Sequence, residues 1–125
     1  MVKSIICICV AALVLSLTAF TEWWFVNDNF NGFGEELVSL SRKLEEETAT
    51  EEDAKAVQSS WEHRKEQLHV WIPHNDVNRI DDYMAETVKL VAEKQYALAT
   101  AKIGIMLHMT KCLPDTYRPH LENVF

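Results

Sequence analysis

The sequence predicts an all-α protein in which an N-terminal transmembrane helix is followed by a small antiparallel bundle of three or four helices. Three features favour this fold. An uncharged apolar run lies near the start of the chain, the 125 residues include only 3 Gly and 3 Pro, and apolar residues in the remainder recur every three or four positions. Few helix breakers and this spacing are typical of amphipathic helices.

The apolar run predicts a single membrane span. Residues 4–21 carry no charged side chain, and at about 1.5 Å per residue they form a helix of about 27 Å, close to the hydrocarbon thickness of about 30 Å. Lys3 precedes the run, and no further Lys or Arg occurs before Arg42. The positive-inside rule therefore predicts a single-pass protein of the cell membrane, with a cytoplasmic N-terminus and an extracytoplasmic C-terminal domain.

A cleaved signal peptide is the alternative, because it also combines a basic start with an apolar core. Signal peptidase prefers small residues immediately before the cut and two residues earlier. A cut after Ala19 places the bulky Leu17 at the second of these positions. The uncleaved anchor is therefore the favoured interpretation.

The chain divides into three predicted segments. Residues 1–26 form the signal-anchor helix, which ends in aromatic residues suited to the lipid–water boundary. Residues 27–34 contain three Asn, one Asp and two Gly, and these turn formers predict a juxtamembrane hinge that interrupts the helix. Residues 35–125 form the helical extracytoplasmic domain.

Local signals predict the first two helices of this domain. A short amphipathic helix runs from Leu37 to Thr48. The segment Thr50-Glu-Glu-Asp53 is typical of a capping box and opens the second helix, which Pro73 closes.

Two further helices are predicted after Pro73. Asn75 or Asp76 caps the third helix. A turn near residues 93–95 leads to the fourth, which runs from about Tyr96 to Cys112 and ends before Pro114. The apolar spacing also permits one continuous helix, but about 37 residues would extend about 55 Å, too far for the rest of a small domain to cover.

The composition and the scattered histidines argue against several functions. A formal net charge of −7 disfavours nucleic acid as a partner. Among the histidines only His108 shares a helix face with a second ligand, Cys112, and two ligands do not complete a tetrahedral metal site. Cys112 is predicted to be a small core residue, and Trp61 and Trp71 to be core aromatics rather than ligand-stacking groups. We therefore expect no metal, no cofactor and no enzymatic activity.

The order of several short motifs resembles a known family. These motifs are Trp61-x6-Leu68, His74 at the head of the next helix, and the C-terminal Leu121-Glu-Asn-Val-Phe125, which includes Asn123. Together with the N-terminal span they are similar to the bacterial domain of unknown function 4363 family. The resemblance implies a small membrane-anchored helical protein, often encoded beside a multi-pass membrane protein, and implies no reaction.

The fourth helix is the predicted partner surface, because its apolar residues do not form one face. Ile103 and Met106 lie on one side, whereas Ile105 and Met109 lie on another, and a helix that is apolar over most of its girth must be covered over most of its girth. Ala97, Ala101 and Gly104 add a ridge of small residues that permits close helix approach. The alternative is that this helix is simply central in the bundle.

Two classes of function fit these features. In the first, the anchored domain is an accessory or interaction protein that binds another membrane or envelope protein, or a second copy of itself. In the second, it is an extracytoplasmic sensor or carrier that holds a small ligand or metal within the bundle.

The uncharged run and the poor cleavage site lead to a first test. The mature protein should retain residues 1–21 and stay with the membrane during alkaline carbonate extraction, because the hydrocarbon interior holds the apolar helix. N-terminal mass spectrometry of the membrane fraction checks this. A soluble mature form beginning near Phe20 or Glu22 would contradict it.

Overall fold

The structure, a computed structural model, describes residues 1–116 as four helices. These are α1 (Val2–Glu45), α2 (Glu51–Leu68), α3 (His74–Ala92) and α4 (Tyr96–Thr116). The described residues contain no β-strand. The predicted all-α fold, with one long apolar N-terminal helix followed by a bundle, is confirmed.

The helix α1 passes without interruption through residues 27–34, so the predicted hinge is wrong. The predicted short helix beginning at Leu37 is the last part of α1. Phe30 and Phe33 are completely buried in this segment. Their burial favours a continuous helix despite the weak helix propensity of the Asn and Gly residues around them.

The hinge-like residues are instead positions of close packing. The Asn29 side chain donates a hydrogen bond to the Phe25 carbonyl, 2.9 Å away within the same helix. A Cβ on Gly32 would lie 2.7 Å from the Arg64 guanidinium of α2, and one on Gly34 would lie 3.3 Å from the hydroxyl of Thr110 in α4. Each glycine therefore makes room for a neighbouring helix.

The start of α2 confirms the predicted capping box. The backbone N–H of Asp53 donates to the Thr50 hydroxyl, and the Asp53 carboxylate accepts from the Thr50 N–H. Lys43, at the end of α1, pairs with the same carboxylate at 2.9 Å. Its hydrogen bond, followed by that of the Thr50 N–H, holds the pKa of Asp53 below its ordinary value. Lys43 thus connects the end of α1 to the start of α2.

The junction between α2 and α3 differs from the prediction. α2 ends at Leu68, five residues before Pro73, and α3 begins at His74 with Pro73 in the capping position. The Pro73 carbonyl accepts hydrogen bonds from the N–H groups of Asp76 and Val77. The predicted cap by Asn75 or Asp76 is therefore wrong, because the fixed backbone of proline already suits a helix start.

The predicted turn between α3 and α4 is confirmed, and Lys94 forms it in the left-handed conformation with φ of 58°. The N–H of Lys94 binds the Val91 carbonyl at 3.0 Å, and that of Gln95 binds the Leu90 carbonyl at 2.9 Å. These two bonds form a Schellman motif, in which glycine is the usual residue. Lysine in its place explains why no glycine marks the turn.

The helix α4 begins at Tyr96 as predicted, but it continues through Pro114 to Thr116. Leu113 and Pro114 are buried. Proline removes one backbone hydrogen bond near the helix end, and burial of this last turn favours continuing the helix.

The four helices form an antiparallel up-down-up-down bundle. Each packs against its neighbour in the chain, and α4 closes the bundle by packing against α1. The core contains Phe30, Phe33, Leu37, Leu44, Trp61, Leu68, Ile80, Met84, Ile103 and Met106. Only the second half of α1 therefore belongs to the bundle.

The first half of α1 projects beyond the bundle. Its most apolar stretch has a mean hydropathy of 2.4, and none of that stretch is buried within the protein. α1 is therefore long and apolar enough to cross a membrane, which agrees with the predicted span.

The glycines lead to a stability test. Gly104→Ala should raise the free energy of unfolding by up to about 1 kcal/mol, because alanine is the better helix former and its Cβ meets no atom of the described residues within 4 Å. Gly32→Ala should give less than this gain or a loss, since it displaces the Arg64 guanidinium. Melting of the full chain in mild detergent, followed by circular dichroism, measures both. Equal gains from the two variants would contradict the packing role of Gly32.

Candidate functional site

Trp61 is a core residue, as predicted, and connects α1, α2 and α3. Its indole is completely buried, with ring centroids 4.9 Å from Phe33 and 6.4 Å from Phe30. The indole N–H donates a hydrogen bond of 2.7 Å to Asp81 of α3. This partner satisfies the one polar group of the ring, so Trp61 has a structural role.

Asp81 also binds Lys65 of α2, at 3.3 Å. Lys65 additionally pairs with Glu62 at 2.6 Å. The hydrogen bond from Lys65 to Glu62, supported by that to Asp81, raises the pKa of the lysine. The contact with Asp81 at the edge of the core connects α2 to α3.

A second polar cluster joins α1 and α2 around Arg64. Its guanidinium lies 3.2 Å from Glu36 and 3.3 Å from the Asn29 carbonyl. Ser60 donates to the same Glu36 carboxylate at 2.9 Å. Neither cluster is predicted from the sequence, because residues more than a dozen positions apart carry no periodic signal of their pairing.

The residues that carry the family resemblance differ in their surroundings. Trp61 and Leu68 are buried, whereas His74 is exposed at the start of α3. Asn123 and Phe125 lie outside the described residues. The two buried motif residues are therefore explained by packing.

Trp71 and Cys112 were predicted to be core residues, and both are exposed. Trp71 lies in the loop after α2, where Ile72 takes the buried position instead. Cys112 lies on the outer side of α4, with its sulfur 3.4 Å from Nε2 of His108. Within residues 1–116 no three histidine, cysteine or acidic side chains are grouped to hold a metal ion.

The predicted partner residues on α4 separate into two groups. Ile103, Met106 and Met109 are buried in the core, so they are not available to a partner. Ile105 remains 40% exposed, and the nearby Leu98 is 55% exposed. The central-helix alternative is thus correct for one side of α4, and the other side remains uncovered.

Between Ala97 and His108 that exposed side carries no charged side chain, and the exposed Lys111 and Asp115 follow in the last turns of the helix. Its uncharged exposed residues, which we call the α4 outer face, are Ala97, Leu98, Ala101, Gly104, Ile105, His108 and Cys112. The exposed sides of α2 and α3, in contrast, include Lys55, Glu62, Asp82 and Lys89. An uncharged surface about three helical turns long is unusual for a helix in contact with water.

An open groove between α1 and α4 has a volume of about 510 Å³. Its apolar lining includes Phe30, Val38 and Leu107, and its charged lining includes Glu35 and Arg42. The groove lies on the surface of the bundle. It is large enough for a small molecule, but it does not enclose one within the core.

Comparison with known proteins identifies one family. A family model described as "Domain of unknown function (DUF4363)" matches residues 24–124. The chain matches no curated protein and no solved structure. The matched region begins at the end of the apolar half of α1 and includes all the bundle helices.

The histidine arrangement leads to a chelation test. Removal of metal ions should leave the helical circular-dichroism signal and the melting temperature of the full chain unchanged, because His108 and Cys112 alone do not form a structural zinc site. The same measurement after zinc addition provides the control. Loss of helix on chelation, restored by zinc, would contradict this expectation.

Proposed function

The chain belongs to the DUF4363 family, and on that premise we propose that it is a non-enzymatic accessory subunit of a membrane complex. The first half of α1 anchors it in the cell membrane, and the bundle stands on the extracytoplasmic side. The α4 outer face binds a helix of another membrane protein. The single observation that carries this proposal is the exposed surface of α4, uncharged from Ala97 to His108, on a bundle that continues directly from an apolar helix.

The charge distribution around the apolar helix supports the orientation. Lys3 and the α-amino group lie on one side, while Glu22 and Asp28 follow on the other and the first cation there is Arg42. Positive charges near a span favour the cytoplasmic side. The bundle, with its acidic start, is therefore assigned to the outer side.

The presence of glycine at position 104 supports a helix as the partner. Glycine within a helix costs about 1 kcal/mol relative to alanine, and no atom of residues 1–116 lies within 4 Å of where its Cβ would be. The packing of these residues therefore gives no reason for glycine at this position. Together with Ala97 and Ala101 it would let the backbone of a second helix approach closely.

The position of the α4 outer face also limits the partner. α4 runs antiparallel to the bundle half of α1, with Thr110 beside Gly34, so the Cys112 end of this face lies toward the membrane and the Ala97 end points away from it. Another protein anchored in the same membrane would reach the Cys112 end first. A helix of such a protein, with small and apolar side chains, is the occupant that this surface would accept.

The sensor or carrier alternative has less support. The bundle interior is filled by large side chains such as Trp61, Phe30 and Phe33. The groove between α1 and α4 is open to solvent and is a place for a surface ligand rather than an enclosed one. Accessory binding through α4 is therefore the function that we propose.

Site-specific photo-crosslinking in living cells tests the partner surface. A photoreactive residue at Leu98 or Ile105 should yield one discrete adduct with a second membrane protein, since both side chains lie on the exposed side of α4. The same group at Lys89, on the exposed side of α3, is the matched control and should yield none. Mass spectrometry of the adduct identifies the partner peptide.

A second variant separates binding from folding. Gly104→Leu should abolish the adduct while the melting temperature is maintained, because the added side chain enters open space and blocks close approach. Adducts at twice the mass of the chain would indicate self-association and would overturn the accessory role. The absence of any adduct at both positions would overturn the α4 interface itself.

A further inference from the structure

The loop between α2 and α3 exposes two large apolar side chains. Val70 is 69% exposed and Trp71 is 42% exposed. The loop is held in place from within, since Ile72 is buried and its N–H binds the Leu68 carbonyl at 3.1 Å. The turn that presents Val70 and Trp71 to the outside is therefore held in place by Ile72.

Contacts between α1 and α2 show which residues of α1 are level with this loop. Lys43 pairs with Asp53, and further down the bundle Glu36 binds Ser60. Next, Gly32 faces Arg64. The two helices are thus antiparallel and in one-to-one register: one residue toward the N-terminus of α1 corresponds to about one residue toward the C-terminus of α2.

Continuing this register places Leu68 level with Asp28 of α1, and the following loop level with the segment 24–26. At about 1.5 Å per residue, this segment lies about 5–7 Å beyond Thr21, the end of the uncharged run. The headgroup layer on each side of the hydrocarbon is about 5–7 Å thick. The loop therefore lies at the level of the headgroups when residues 2–21 span the bilayer.

The neighbouring surface of α1 has the same character. Trp24 is 55% exposed at the height of Trp71. Tryptophan favours the lipid–water boundary because its ring is apolar and its N–H is polar. The indoles of Trp24 and Trp71 thus lie level with each other at the end of the bundle nearest the apolar half of α1.

We propose that the α2–α3 loop is a second membrane contact, in which Val70 and Trp71 insert into the lipid interface beside α1. This inference rests on the proposed anchoring by α1. The ligand is the apolar edge of the bilayer rather than anionic headgroups, because Glu66 and Asp28 lie near this end of the bundle and would repel negative charge. Insertion should therefore occur in zwitterionic phosphatidylcholine, whose net charge is zero, and should not require low salt.

Spin labelling of the full chain tests the contact. Cys7, Cys9 and Cys112 are first replaced with alanine or serine, and a nitroxide is attached at Val70→Cys after reconstitution into phosphatidylcholine vesicles. Oxygen concentrates in lipid, whereas a nickel complex stays in water. The ratio of the label's collision rate with oxygen to its collision rate with the nickel complex should therefore be several-fold higher at Val70→Cys than at a site in water. Glu93→Cys, exposed at the opposite end of the bundle, is the aqueous control.

A further change identifies the contribution of the indole. Adding Trp71→Asp to the labelled protein should move the Val70 label toward the aqueous ratio, because a charged side chain opposes insertion. A Val70 label with the same ratio as the Glu93 label would overturn the proposal. Spin–spin broadening, or low collision with both reagents, would indicate that a second copy or the protein itself covers the loop, and would also overturn it.

Flotation with the vesicles distinguishes this failure from failure of the anchor. If α1 does not anchor the chain, the labelled protein does not float with lipid. If only the loop contact is wrong, the protein floats and the Val70 label reports water.

Discussion

The packing of Phe30 and Phe33 against Trp61 is the interaction on which the rest of the structure depends. These three rings are completely buried and bring α1 and α2 together near the middle of the bundle. The indole hydrogen bond to Asp81 then fixes α3. Burial of a large aromatic side chain contributes more than the helix propensity lost at the surrounding Asn and Gly residues. For this reason the apolar half and the bundle half of α1 form one helix.

The sequence predicts the local features of the fold better than its long-range features. The capping box at Thr50 and the start of α4 at Tyr96 depend on residues that are close in the chain, and both are correct. The segment 27–34 was assigned to a hinge because Asn and Gly are common in turns. Its glycines are instead explained by Arg64 and Thr110, which approach from other helices and leave no trace in the local sequence.

The candidate partner surface shows the same limit. The apolar residues of α4 surround most of the helix, so periodicity could not decide which of them face the core. Packing against α1 and α3 covers Ile103, Met106 and Met109, and leaves Ile105 exposed. The ridge that contains Gly104 was visible in the sequence, but only the bundle shows that no other part of residues 1–116 fills the space beside it.

The unbroken helix from Val2 to Glu45 also joins the apolar half of α1 to the bundle without a loop. Successive residues of an α-helix turn by about 100° around its axis, so the azimuth of the bundle follows from the number of residues between the bilayer and the core. Rotation or tilt of the helix within the lipid would be transmitted directly to the bundle, with no flexible joint to absorb it. In the proposed anchoring, the apolar half of α1 would therefore set the direction that the bundle faces.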